Sequence, residues 1–475
     1  MTSGSGEAPW AIGLESAARE VDAVEILTRG DLPPWLAGTL LRVAPARFEV
    51  GAQRYRHWFD GLAMLHRFDI AGRRVTYASR FLRSASFEEA KARGGISRGE
   101  FATDPCRTLF GRTMAVMLGA PPTDNGVVAI DRIGEAVVAL TETRLPVVFD
   151  PDTLETLGNH AYEADVDRAT TTAHPHRDGA RAYTYLTRFG RRSVYRLIVR
   201  EGMQERTLVE IPVERPAYMH SFGMSAKSLV LVEGPLVVDP LLMMLVNAPF
   251  IQNFRWRPER GTLVRAFDKE TGAARGVWRL PALFSFHHVN AFEAERALVV
   301  DLVAYDDARV IDELYLERLR REAPPTIAGR LVRLTLPTDG GEPDVRVLSD
   351  TPIELPRIDY ERRAGEPYRI VWGASASAPG AFLDTLARID LSEEKGGNAR
   401  LWHEPGTYPG EPIFVARPGG RGEDDGVLLS VVLDTRTRRS FLLVLDAARM
   451  TEIARAETPE IVTLGFHGTF LHKRG

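Results

Sequence analysis

The sequence predicts an all-β protein, a closed ring of hairpin-built sheets of the β-propeller kind. Three features lead there. Short apolar, β-branched runs come in pairs around turn-rich segments: residues 262–267 and 274–280 flank Asp268-Lys269-Glu270-Thr271-Gly272, and residues 426–433 and 440–445 flank Asp434-Thr435-Arg436-Thr437-Arg438-Arg439. Residues 193–199 and 229–233 are further β-branched stretches of the same character. The 41 glycines and 30 prolines are scattered along the chain rather than pooled in a linker, so turns recur throughout and no composition shift marks a domain boundary. Helical spacing, finally, is scarce. No strict repeat of the WD or kelch kind is visible, so periodicity alone does not fix the number of blades.

The two helical stretches are short. In residues 311–323, Ile311, Leu314, Tyr315, Leu316 and Leu319 recur near helical spacing and Pro324-Pro325 ends the run. In residues 86–93, Ser86 is the expected N-cap, with Glu89 three residues on. Residues 1–20 read as a flexible N-terminal segment and residues 21–475 as one domain.

Composition excludes several function classes. A net charge of −4, with acids and bases interspersed, is not the footprint of a nucleic-acid binder. The single cysteine, Cys106, rules out an internal disulfide framework and a cysteine-based zinc cluster. The first ten residues carry no basic region followed by an apolar core, so no secretory signal is expected. No apolar run reaches the roughly 18 residues that a bilayer span needs. The expected location is cytoplasmic, with peripheral association to a membrane.

Chemistry is expected from the histidines. Four of the eleven share one kind of setting: His174 in Thr172-Ala173-His174-Pro175-His176, His220 in Tyr218-Met219-His220-Ser221-Phe222, His287 in Phe284-Ser285-Phe286-His287-His288, and His467 in Gly465-Phe466-His467-Gly468. Each adjoins apolar residues, which favours an interior position, and their wide separation suits a ring whose inner strands converge on one axis. The alternative for any single histidine is an ordinary core or surface imidazole with a satisfied hydrogen bond. His-Glu-x-x-His, Cys-x-x-Cys, phosphate-loop and Gly-x-Ser-x-Gly signatures are absent, and Pro418-Gly419-Gly420-Arg421-Gly422 lacks the strand-then-helix context of a nucleotide loop.

These four settings, together with Trp58-Phe59-Asp60-Gly61, Glu411-Pro412-Ile413-Phe414-Val415 and Glu423-Asp424-Asp425-Gly426, resemble the carotenoid cleavage oxygenase family. The resemblance runs from about Leu32 to the C-terminus. It implies a seven-bladed β-propeller with a helical and loop cap over an iron-containing axis, and Fe(II) held by His174, His220, His287 and His467. It further implies that Glu142, Glu354 and Glu411 stand behind those ligands, since a histidine bound through one ring nitrogen usually donates the other N–H to a carboxylate. Four neutral imidazoles leave room for up to two more ligands in an octahedron. Zinc also accepts imidazole, and only the resemblance selects iron.

Glu100-Phe101, Asp104-Pro105-Cys106, Thr141-Glu142-Thr143 and Leu314-Tyr315-Leu316 look most like the animal-type branch of β-carotene oxygenases and retinal pigment epithelium isomerohydrolase. The family's usual Asn-Gly-Pro is Val43-Ala44-Pro45 here. Phe101 and Thr141 match positions that line the substrate cavity of that branch; ordinary core and strand roles are the alternatives. Stilbene-cleaving members carry a lysine where this chain has Thr141, so a phenolic substrate is disfavoured.

The resemblance therefore implies an iron(II) dioxygenase that takes O2 and a carotenoid or apocarotenoid and gives aldehyde or ketone products. Retinyl ester isomerohydrolysis, stilbene cleavage and a non-catalytic binding platform are the alternatives. The particular carotenoid, the bond cleaved and the oligomeric state stay open at this level. A water-insoluble substrate also implies contact with one membrane leaflet. Two segments suit it: residues 106–118, whose helical projection gathers Cys106, Leu109, Phe110, Met114, Met117 and Leu118, and residues 241–246, Leu-Leu-Met-Met-Leu-Val, near Arg255, Arg257 and Arg260.

Overall fold

The paired runs fold as hairpins. Thr262–Asp268 and Ala274–Leu280 pair antiparallel with Val264 opposite Trp278, and Asp268 closes their turn by accepting the Glu270 and Thr271 N–H groups. Gly426–Asp434 and Arg439–Asp446 pair in the same way. The computed structural model describes residues 7–105, 121–162, 169–245, 248–321, 328–378 and 380–473. In them, such hairpins extend into seven sheets of four to six strands, the blades of a seven-bladed β-propeller.

After the first blade, the blades follow one another along the chain, each contributing an innermost strand at the axis. These are Ala129–Ile133 in the second, Thr170–Thr171 with His176–Asp178 in the third, Gly223–Met224 in the fourth and His288–Ala294 in the fifth. Glu354–Arg357 lines the sixth, and Thr407–Pro409 with Ile413–Ala416 the seventh. The first blade takes its inner strand from the far end of the chain: Gly468–His472 pairs with Gly38–Arg47. Conversely, Thr28–Gly30 adds an edge strand to the seventh blade against Glu452–Glu457. Gly30 makes that second join fit, since it has φ +84° and a Cβ there would sit 2.2 Å from the Ile453 carbonyl oxygen. The ring is thus closed twice, by strands from both ends of the sequence.

Aromatic side chains fill the seams between blades. Trp372 of the sixth blade is fully buried, stacks on Phe414 of the seventh at 4.6 Å and donates its indole N–H to the Ala447 carbonyl.

Three expectations need correction. Part of the N-terminal segment expected to be flexible is packed: Pro9–Leu14 forms a 3-10 turn, Trp10 is buried, its indole N–H donates to the Leu319 carbonyl, and its ring stacks on Phe382 at 5.3 Å. The helix expected over residues 311–323 is two pieces, Arg309–Glu313 and Leu316–Leu319, because Tyr315 is extended and bridges to His57. Residues 322–327 lie outside the described residues. The other helix, Ala85–Arg93, is capped by Ser84 rather than Ser86; the Ser86 hydroxyl instead donates to buried Asp124.

Near the axis, buried polar groups tie the irregular segments down. Asp60 of the Trp-Phe-Asp-Gly stretch accepts the Thr103 hydroxyl and the Ala102 N–H, and burial pushes its carboxyl up to about 7. Burial pushes His57 and His66 the other way, down to about 3. A histidine depressed in the folded state leaves the unfolded chain binding more protons at acid pH, so its contribution to stability is lost as pH falls from about 6.5 toward that folded value. Asp60 works in the opposite sense. Replacing His66 with Gln removes one histidine contribution alone. The gap between wild-type and His66→Gln stability in urea should therefore narrow steadily between about pH 6.5 and pH 4.5, and a gap independent of pH contradicts the assignment.

Candidate metal centre

Four blades present a histidine at the inner end, beside the innermost strand. His174 lies between the two short inner strands of the third blade, and His220 comes just before Gly223–Met224 of the fourth. His287 and His467 directly precede the inner strands of the fifth and first blades. Their ring nitrogens converge within 4.8 Å of one another. Residues 113 positions apart in sequence, His174 and His287, thus meet because each blade returns its chain to the axis.

Buried hydroxyls tie neighbouring histidine loops together. Thr172 Oγ1 donates to the His220 carbonyl at 2.6 Å and accepts the His174 N–H at 2.9 Å. Ser221 Oγ donates to the Phe286 carbonyl at 2.6 Å and accepts the His288 N–H at 3.0 Å. Both side chains are buried, so an unmet partner there is costly.

Three of the imidazoles are fixed from behind. His220 Nδ1 lies 2.7 Å from Glu142 Oε1, His287 Nδ1 lies 2.6 Å from Glu354 Oε2, and His467 Nδ1 lies 2.7 Å from Glu411 Oε1. Glu142 also accepts the Tyr218 hydroxyl, and Glu354 the Tyr305 hydroxyl and the Leu355 N–H. Burial alone would raise the Glu354 and Glu411 carboxyls. The His287 contact outweighs it at Glu354, and Arg357 with His467 outweighs it at Glu411, so both are held below the usual carboxylate range. His467 is pushed down to about 4 by burial, partly opposed by Glu411, and burial also drives His174 well below its ordinary value. Among the described residues no carboxylate stands behind His174.

These contacts decide the tautomer. A neutral imidazole that gives its Nδ1 proton to a carboxylate has only a lone pair at Nε2. His287 Nε2 and His467 Nε2 face each other at 3.1 Å, and His174 Nε2 and His220 Nε2 at 3.0 Å. The first contact joins two bare nitrogens and is therefore no hydrogen bond; a cation between them is what such a pair accommodates. The spacing is also informative. Nitrogens about 2.1 Å from a common metal lie about 3.0 Å apart at a right angle and about 3.4 Å apart at the tetrahedral angle. The observed distances fit the right angle, the arrangement of an ion with vacant positions. The four-histidine group has the chemistry and the spacing to bind a metal ion.

Beside the group is a cavity lined among others by Trp58, Phe59, Val128, Phe286, Leu383 and Phe466, with His220, His287 and His467 in its wall. The segment Arg309–Leu319 closes one side through Val310 and Leu314. The walls are almost wholly apolar, as a site for a long hydrocarbon needs.

All seven residues expected at the centre, His174, His220, His287, His467, Glu142, Glu354 and Glu411, come together there. Phe101 stands one ring back, 5.2 Å from Phe59, and does not line the cavity. Thr141 lines a separate polar cavity of roughly 400 Å³ with Thr143, Arg144, Thr171 and Arg200. Sequence reasoning missed Thr172, Ser221, Tyr218, Tyr305, Arg42 and Arg357. The first three adjoin or lie two positions from a ligand, a signal available in the sequence; Arg42 and Arg357 reach Glu411 and His467 only through the fold.

Comparison with known proteins agrees with this architecture. A family described as retinal pigment epithelial membrane protein matches residues 14–472. The carotenoid isomerooxygenase of Galleria mellonella is 33% identical, over 98% of this chain and 96% of its own. The mitochondrial carotenoid-cleaving dioxygenase of Macaca fascicularis is 32% identical, over 98% and 94%. Among solved structures, a single-site variant of Synechocystis apocarotenoid oxygenase superposes with a TM-score of 0.85 at 24% identity, covering 98% of each chain.

If the carboxylates fix the tautomers, changing Glu142, Glu354 or Glu411 to Gln should weaken metal binding by roughly 10–100-fold. Competition with a chelator measures it, and unchanged affinity in all three variants contradicts the role.

Proposed function

The chain belongs to the retinal pigment epithelial membrane protein family of carotenoid oxygenases, and from that premise we propose that it is a non-haem iron(II) dioxygenase that splits a carbon–carbon double bond of a carotenoid or apocarotenoid. The observation that carries the reading is the set of imidazole nitrogens, bare where the carboxylates hold the opposite proton, facing one point beside an apolar cavity.

His174, His220, His287 and His467 would hold the ion, and Glu142, Glu354 and Glu411, each in contact with Nδ1, would turn the Nε2 atoms of three of them toward it. When bound, iron(II) supplies the binding and activation of O2. The chain supplies position and dryness. Phe59, Phe286 and Phe466 line the cavity, where Phe59 lies 5.0 Å from Phe466 and 5.9 Å from Phe286. A polyene in the cavity would lie against these rings, which exclude water from the reacting bond. One alkene and one O2 yield two carbonyl groups with no electrons left over, so the reaction needs no reductase partner. No side chain has to move a proton in this reaction.

Delivery of a water-insoluble substrate points to a membrane surface. Among the described residues no helix is long and apolar enough to cross a membrane. The helix Pro240–Leu245 instead exposes Leu241, Leu242 and Leu245, the last at 74%, with Arg255, Arg257 and Arg260 exposed nearby in sequence. We propose that this helix dips into one leaflet while the arginines meet anionic headgroups. The other segment expected to contribute, residues 106–118, lies outside the described residues.

Iron-loaded protein incubated aerobically with β-carotene or an apocarotenal should give two carbonyl products with one O2 consumed per cleavage. His174→Ala, His220→Ala, His287→Ala and His467→Ala should each lose iron and turnover together. Turnover of a retinyl ester without O2 uptake would instead identify isomerohydrolysis, and full iron and turnover in two of the four variants would sink the ligand assignment.

In flotation with anionic liposomes, wild type should rise with the lipid and Leu242→Asp should stay behind. Equal behaviour of the two proteins contradicts docking through this helix.

A further inference from the structure

The three histidine–carboxylate pairs differ in charge. Glu142 and Glu354 take their remaining side-chain hydrogen bonds from the neutral hydroxyls of Tyr218 and Tyr305. Among the described residues, neither makes an ion pair with lysine or arginine. Glu411 does. The oxygen that accepts the His467 Nδ1 proton at 2.7 Å also accepts Arg357 Nε–H at 2.7 Å, while its other oxygen takes the Gly468 N–H at 2.9 Å. Arg357 further donates to the Gly468 carbonyl at 3.0 Å.

A second guanidinium lies alongside. Arg42 is buried, and its slot exists because two flanking residues have no side chain. A Cβ at Gly410 would fall 2.5 Å from Arg42 Nη1, and one at Gly468 would fall 2.7 Å from Arg42 Cγ. These glycines adjoin Glu411 and His467. Glu411 and Arg357 are the charges that act on Arg42 there.

We propose that Arg357, supported by Arg42, tunes the metal centre through Glu411 and His467 so that bound iron is held in the ferrous state. This rests on the iron reading above. A carboxylate behind an imidazole makes it a stronger donor, and stronger donors favour the higher oxidation state. Arg357 competes with His467 for the same carboxylate oxygen, which weakens that donation at one ligand of the four. Positive charge in a poorly screened interior also disfavours Fe(III) relative to Fe(II). The two effects have the same sign. Arg357 is 33% exposed, so solvent screens part of its charge, and the effect is one of bias. Arg357 is a positioning and tuning residue, since it touches the carboxylate and not the metal.

The test compares wild type with Arg357→Gln, Arg357→Met and Arg357→Lys, each loaded with iron(II) under anaerobic conditions and assayed for iron content. The one-electron couple Fe(III) + e⁻ ⇌ Fe(II) is then titrated against redox mediators, with the ferric form followed by electron paramagnetic resonance. Gln and Met should shift the equilibrium toward Fe(III) by roughly tenfold at a fixed potential, a midpoint lower by about 59 mV. Lys, which keeps the charge, should recover most of the shift. Gln and Met variants that match wild type, that fold yet bind no iron, or that Lys fails to rescue would each overturn the proposal. Wild type that binds no iron would overturn the metal reading itself.

Discussion

The Nε2 atoms of His287 and His467 face each other 3.1 Å apart in a buried site, the spacing of two ligands to one cation. The rest of the propeller can be understood as what holds that contact in place. Glu354 and Glu411 pin the far nitrogens, so both rings keep their Nε2 atoms turned toward the common point. Thr172 and Ser221 lash the loops of successive blades, so the backbone cannot drift outward. A flexible protein would pull four such nitrogens apart, and a stiff ring keeps them ready for a cation.

The same stiffness separates two chemistries that would interfere. Polar contacts gather behind the imidazoles, where carboxylates, tyrosine hydroxyls and arginines are satisfied by one another. Apolar rings gather in front, where Phe59, Phe286 and Phe466 meet. His220, His287 and His467 are each the boundary between the layers, with Nδ1 on the polar side. A propeller suits this division because its inner strands end on a common axis, and the residue at each strand end can face either layer.

Much of this was legible in the sequence, and for a physical reason. A ligand histidine sits at a fixed place in its blade, so its apolar neighbours, such as Phe286 before His287 and Phe466 before His467, repeat the same local setting. The hairpins were legible because their turns are local. Blade number was legible only through the family resemblance, since the seven blades share geometry without a sequence repeat. The helix expected over residues 311–323 failed because a long-range bridge from Tyr315 to His57 overrode a local pattern. Ser86 was chosen as a cap over Ser84 because its attachment to Asp124, 38 residues away, cannot be seen along the chain. Arg42 and Arg357 escaped for the same reason. Their meaning depends on Glu411 and His467, which only ring closure brings beside them. Thr141 shows the opposite error, a sequence match that the fold directs into a different cavity.

Closure of the ring also sets a timetable. His467 stands immediately before Gly468–His472, the strand that pairs with Gly38–Arg47 near the opposite end of the chain. Contacts of such long sequence separation are the slow ones to form. A ribosome makes every strand of the second to seventh blades before His467 exists, and N-terminal parts begin folding as they emerge. The first blade must therefore wait, one strand short, until residues 468–472 have emerged. Until that strand docks, the chain has three of its four imidazoles in place and an open seam, so completion of the site reports on the integrity of the whole ring.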